Sequence, residues 1–91
     1  HCHLDYPPMA DDVVAALAAA RAVGVEQVLH VGCTRQSQLR ALALVDAHAE
    51  VFASLGIHPH DAKTTDDTAL VELRARAAHP KVLAIGETGL D

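Results

Sequence analysis

Three short apolar runs, Gln27 to Val31, Val51 to Leu55 and Val82 to Ile85, punctuate this chain, and each is closed by a glycine, Gly32, Gly56 or Gly86. Runs of this length bounded by turn residues read as buried strands. The segments between them are too long for hairpins and carry apolar residues at helical spacing. Strands joined in this way pair in parallel through right-handed crossovers. A first helix is expected from about Asp12 to Val23, with Val13, Leu17 and Ala20 as its stripe, Val14 and Ala18 alongside, and Gly24 as its stop. Thr34 caps a second helix through Leu39, Leu42, Val45 and Ala49. A third starts within Thr64 to Asp67, presents Leu70, Leu73 and Ala77, and is ended by His79 and Pro80. Pro7 and Pro8 keep the Leu4 to Ala10 segment out of a helix.

Every strand ends in a glycine or polar cluster, and the chain opens on another: His1-Cys2-His3 reads as the tip of a strand. Chemistry gathered at strand carboxyl ends is the habit of barrels and doubly wound sheets. No Gly-x-Gly-x-x-Gly or phosphate-cradling loop precedes a helix, which disfavours a nucleotide-binding sheet.

The last cluster, Gly86-Glu87-Thr88-Gly89-Leu90-Asp91, places a carboxylate at the tip of a buried run. An ion held out of water costs several kcal/mol unless it is paired or metal-bound. Side chains alternate along a strand, so His1 and His3 share one face while Cys2 takes the other. Two imidazoles, the nearby Asp5 and a distant Glu87 make a nitrogen-and-oxygen set suited to a divalent metal. The simpler reading is a solvated terminal histidine pair and a strand-end acid paired with an arginine. His58 and His60, stiffened by Pro59, are either solvated loop residues or contacts for a substrate phosphate or a metal-bound water. Asp5 and Asp91 read as partners orienting imidazoles or backbone, or as turn stabilisers. His48 and His79 read as dipole partners at helix ends. Asp11, Asp12, Asp66 and Asp67 read as helix-start residues.

Composition narrows the function. The chain has 91 residues, 51% apolar, with a formal net charge of −5. It lacks the basic footprint of a duplex-binding module, so a nucleic-acid role needs metal ions or residues elsewhere. No apolar stretch is long enough to span a membrane. Two cysteines, Cys2 and Cys33, make no disulfide framework, which points to a reduced, cytoplasmic setting with both as buried thiols.

His1-Cys2-His3-Leu4-Asp5, Gly56-Ile57-His58-Pro59-His60 and Ile85-Gly86-Glu87-Thr88-Gly89-Leu90-Asp91, in that order, resemble the TatD family of metal-dependent hydrolases. The resemblance implies an α/β fold: the N-terminal half of a (β/α)₈ TIM barrel, one partial domain over residues 1–91, truncated at both ends. It implies metal-dependent phosphodiester hydrolysis, with DNA or a similar phosphodiester as substrate and no obligate protein partner. Two divalent ions (Mg²⁺, Mn²⁺ or Zn²⁺) are implied, His1 and His3 ligating one and Glu87 bridging both. Glu87 and His60 are then the catalytic candidates, with His58 and His60 toward the substrate. The remaining family ligands come from later strands. His30 departs from the apolar residue expected at its position, and no role follows for it. Two other readings remain. One is a different hydrolase of the amidohydrolase superfamily, acting on an amide, a lactone or a small phosphoester. The other is an inactive fragment, since four strands leave a barrel open at its edges.

Overall fold

The computed structural model describes residues 1–89; Leu90 and Asp91, and with them the orienting role expected of Asp91, lie outside the described residues. Three strands, β1 (Val28–Gly32), β2 (Val51–Leu55) and β3 (Val82–Ile85), form a parallel sheet in the order β1-β2-β3. Val28 pairs with Val51 and Gly32 with Leu55, while the β2–β3 register slips between Ala53 and Ser54. On the other side of β1, Cys2 donates its N–H to the Leu29 carbonyl (3.0 Å) and accepts from the Val31 N–H (2.9 Å). The opening segment thus lies parallel to β1 as a fourth ribbon, one bridge long.

Three helices connect the strands: α1 (Val13–Ala22), α2 (Arg35–Ala47) and α3 (Asp67–Ala77). Each begins on a side-chain cap, in which Asp12, Thr34 and Asp66 accept the N–H of Ala15, Ser37 and Ala69 respectively. These caps satisfy backbone donors that a helix start otherwise leaves to solvent. At α2 the cap is reciprocal, because Ser37 Oγ accepts the Thr34 N–H (2.7 Å) as well as the Cys33 N–H (2.8 Å). One serine therefore fixes both the helix start and the tip of β1.

The core joins Leu4, Leu17, Ala41, Val45, Val51, Ala53 and Leu55. By strand alternation it fills the face of the sheet that carries His30 and Cys2. Of the expected stripes, Leu17 and Val45 lie in the core and Val13, Leu42 and Leu73 pack against it, but the helix faces are turned from the remaining positions. Ala41, Gln38 and Ala69 are buried, whereas Leu39, Val14 and Leu70 are more than half exposed. Small residues let helix and strand backbones approach closely, so they take the contact and the larger aliphatics rotate outward. The expectation that Val82 to Ile85 is a buried strand also needs correction. It is a strand, but Leu83 and Ile85 are 63% and 55% exposed, because β3 lies at the edge of the described sheet.

The third helix starts at Asp67, inside the expected Thr64 to Asp67 segment. Residues 59–64 before it form a 3₁₀ helix held by local side chains. His58 Nδ1 accepts the His60 N–H (3.0 Å) and Thr64 Oγ1 donates to the Asp61 carbonyl (2.7 Å). His79 does not cap its own helix but meets Asp46 of α2 at 2.7 Å.

Candidate metal centre

Two strand tips build the site. Because Cys2 faces the core beside β1, His1 and His3 project from the opposite face of the sheet. Glu87 reaches them from the end of β3: its Oε1 lies 3.0 Å from His1 Nε2 and 3.9 Å from His3 Nε2. One ligand atom from each of the three residues lies within 4.8 Å of the others, and this is the one such His/Cys/Asp/Glu group among the described residues.

Backbone geometry at Glu87 is costly. It has φ of 46°, in the left-handed region and the one non-glycine case among the described residues. This conformation costs an ordinary side chain on the order of 1 kcal/mol or more. What forces it is the close approach of the β2 and β3 tips. Gly86 donates its N–H to the Leu55 carbonyl (3.0 Å), and a Cβ added to Gly56 would lie 1.7 Å from the Gly86 carbonyl oxygen. Glycine at position 56 is what allows the contact. Gln38, itself buried, holds the same tip by donating Nε2–H to the Gly56 carbonyl (2.7 Å), while its Oε1 accepts from Arg76 (2.9 Å).

The surroundings are half-polar. Tyr6 stacks on His3, with ring centres 5.1 Å apart and planes 21° from parallel. Burial pushes the Cys33 thiol up, with the Glu87 carboxylate beside it adding to the effect. Cys33 in turn raises the Tyr6 hydroxyl. Cys2 is also raised, chiefly by burial. Neither thiol is thereby prepared to act as a thiolate ligand. Asp5, whose side chain is 3% exposed, accepts from Arg40 Nε (3.1 Å) through Oδ2, and its Oδ1 stands 3.9 Å from His30 Nε2. His58 and His60 pack their rings together, centres 4.5 Å apart, and take no part in the three-residue cluster. They sit at the tip after β2, next to the Glu87 loop, where Gly89 approaches the Pro59 ring.

The residues present fit a divalent cation. Two imidazole nitrogens and a carboxylate oxygen are a borderline-hard donor set, and ligands about 2.0–2.2 Å from one ion stand roughly 3–4 Å apart. Among the described residues His3 Nδ1 is buried without a partner, whereas a ligating ring ordinarily gives that N–H to an acceptor. Sequence reasoning did not find Tyr6, Gln38 or Arg40 around the site. Their types carry no signal until the fold brings them there.

Comparison with known proteins bears on the family and the fold. The family model described as TatD related DNase matches residues 1–91. The chain belongs to the TatD-related DNase family. It is 44% identical over 75 residues to the 3'-5' ssDNA/RNA exonuclease TatD of Cronobacter turicensis, covering 82% of this chain and 28% of that protein. It is 37% identical to the uncharacterized metal-dependent hydrolase YjjV of Escherichia coli, over all of this chain and 36% of that one. The crystal structure of E. coli YjjV matches the whole chain with a TM-score of 0.88 at 34% identity. The chain thus spans about a third of the length of these relatives. Its parallel strand-and-helix segment has the architecture of the corresponding part of a TatD-type TIM barrel.

Proposed function

We propose that the protein carrying this chain is a metal-dependent hydrolase of phosphodiester bonds, a TatD-like deoxyribonuclease of exonuclease type that uses two divalent ions. The observation that carries the reading is the convergence of His1, His3 and Glu87 from separate strand tips, with Glu87 held in a strained backbone conformation. A relative named as a 3'-5' ssDNA/RNA exonuclease and others named as metal-dependent hydrolases support it.

His1 and His3 would hold one ion through Nε2, and Glu87, with a second carboxylate oxygen to spare, would be shared between two. Divalent ions bound there supply Lewis acidity, lowering the pKa of water toward about 7 and offsetting charge on the phosphate oxygens. The chain's own part is to position and to desolvate. Tyr6 holds the His3 ring by stacking. The β2–β3 tip contact sets the direction of Glu87. Cys33 sets its thiol against the carboxylate. His58 and His60, at the adjacent tip, stand where a scissile phosphate would meet imidazole donors, and His60 would act there as a catalytic contact to the substrate. With a net charge of −5 the surface gives little general attraction for duplex. Substrate is therefore taken as a strand end or single strand at the metal site itself. A cytoplasmic location, and residues 1–91 as part of one barrel domain, complete the reading. Among the described residues no helix is long and apolar enough to cross a membrane.

Elemental analysis of the complete protein tests the centre. Two ions per chain are expected, with both loosened in Glu87→Ala and mainly one in His3→Ala. An unchanged pair of ions in Glu87→Ala would remove the bridging role. Nucleotide release from end-blocked circular DNA at the rate seen with linear DNA would contradict exonuclease action.

A further inference from the structure

Among the described residues three buried side-chain atoms lack a hydrogen-bond partner: His3 Nδ1, Asp5 Oδ1 and His30 Nε2. Buried polar atoms without partners are rare in folded proteins, and each one calls for an explanation. That all three fall on one strand tip and the strand beside it points to a shared cause. His30 is fully buried on β1, at a position where an apolar residue would be the ordinary choice. Its Nδ1 accepts the Leu4 N–H at 3.1 Å. A backbone N–H only donates, so Nδ1 carries no proton, and the neutral ring must carry its hydrogen on Nε2. Burial lowers the pKa of His30 and keeps it in this neutral form.

The unpartnered atoms then have complementary roles. His30 Nε2–H is a donor, and it faces Asp5 Oδ1, an acceptor, across 3.9 Å. At that distance the two are aligned but not bonded; a small shift of the turn, or one water between them, would join them. His3 Nδ1 is the second donor once its Nε2 is directed to a cation, and a ligating histidine ordinarily gives its other N–H to a carboxylate, a carbonyl or water. Asp5 is two residues from His3 in the turn closed by the Tyr6 N–H to the His3 carbonyl (3.2 Å). Its other oxygen is already held by Arg40, which fixes the direction of the carboxylate.

We propose that His30 is a positioning residue for the metal centre: its Nδ1 pins the His3–Leu4 peptide, and its Nε2–H faces the inner oxygen of Asp5 in the turn that leaves His3. This rests on the reading of His1, His3 and Glu87 as metal ligands. His30 touches neither metal nor substrate.

Two substitutions separate the ring's two nitrogens. His30→Asn keeps an acceptor near Nδ1 and loses the donor toward Asp5, whereas His30→Gln keeps a donor near Nε2. In the complete protein, Mn²⁺ affinity measured by calorimetry should fall about 10–100-fold in His30→Asn, and His30→Gln, which loses only the Leu4 contact, should also bind more weakly than wild type. Asp5→Asn should lose a similar factor, and the His30→Asn/Asp5→Asn double variant should lose no more than either single one. Equal Mn²⁺ affinity in wild type and His30→Asn, or additive losses in the double variant, overturns the proposal. Nitrogen-15 NMR of the metal-free wild type should show His30 protonated on Nε2 alone; a proton on Nδ1 overturns it whether or not any variant folds. A wild-type protein that takes up no Mn²⁺ overturns the metal centre itself, and the inference with it.

Discussion

Gly56→Ala is the sharpest test of how the sheet aims its carboxylate. A Cβ at this position would lie 1.7 Å from the Gly86 carbonyl oxygen and 2.8 Å from its carbon. An ordinary carbon–oxygen contact is about 3.3 Å, so the tips of β2 and β3 must part by roughly 1.6 Å. Both sides of the clash are backbone, so no side-chain rotation relieves it. Separation at that scale breaks the Gly86 N–H to Leu55 carbonyl bond (3.0 Å), worth about 1 kcal/mol net, and adds about 1–3 kcal/mol of overpacking strain. The expected loss is about 2–4 kcal/mol. Urea or thermal unfolding of the complete protein should show it, as a drop in Tm of roughly 4–16 °C for a chain of about 250 residues. Glu87 follows Gly86 directly, so Mn²⁺ affinity should fall at least about tenfold as the carboxylate is displaced. Gly24→Ala is the control. Gly24 also has a left-handed φ, 95°, but a Cβ there meets nothing within 4 Å. It should cost about 1 kcal/mol of backbone strain and leave Mn²⁺ affinity unchanged. If Gly56→Ala unfolds at the wild-type midpoint with wild-type affinity, the tip contact does not set Glu87, and the reasoning fails.

Glu87→Gly should be about 1 kcal/mol more stable than Glu87→Ala in urea titrations, because glycine alone adopts the 46° φ without strain; equal midpoints would mean that the turn relaxes freely. Lys81 donates through Nζ to the carbonyls of Val45 (2.7 Å), His48 (2.8 Å) and Ala49 (3.3 Å) at the end of α2. Lys81→Met should therefore cost about 1.5–3 kcal/mol, read from chemical denaturation, and a shift below 0.5 kcal/mol would show that water replaces the ammonium. The depressed pKa of His30 sets a pH dependence. Between its unfolded value near 6.5 and its lower folded value the unfolded chain binds more protons, so this contribution is complete above about 6.5 and is lost as pH falls through the folded pKa. Urea midpoints from pH 7 to 5 should fall less in His30→Asn than in wild type, and parallel slopes would exclude His30 as a source.

The sequence by itself determined the strand-and-helix order, because period and punctuation are local: Gly24, Thr34 and Asp66 stop or start helices by chemistry that acts within a turn. It also showed that His1 and His3 share a face, since strand alternation is a property of the backbone alone. Helix faces were less legible. Leu39 and Leu70 have the right spacing for a core stripe, yet Ala41 and Ala69 take the contact, because how closely a helix approaches a sheet is settled between elements. The strand-tip loop at residues 59–64 is wound into a 3₁₀ helix by one imidazole and one hydroxyl. Only the tertiary structure brought Glu87 within 3.0 Å of His1 and set its strained φ. Only it turned His30 from an unexplained polar residue into one whose two nitrogens face Leu4 and Asp5. The physical reason is the same in both cases. A ligand's type is written in one residue, but its direction comes from the packing of strands far apart in the chain.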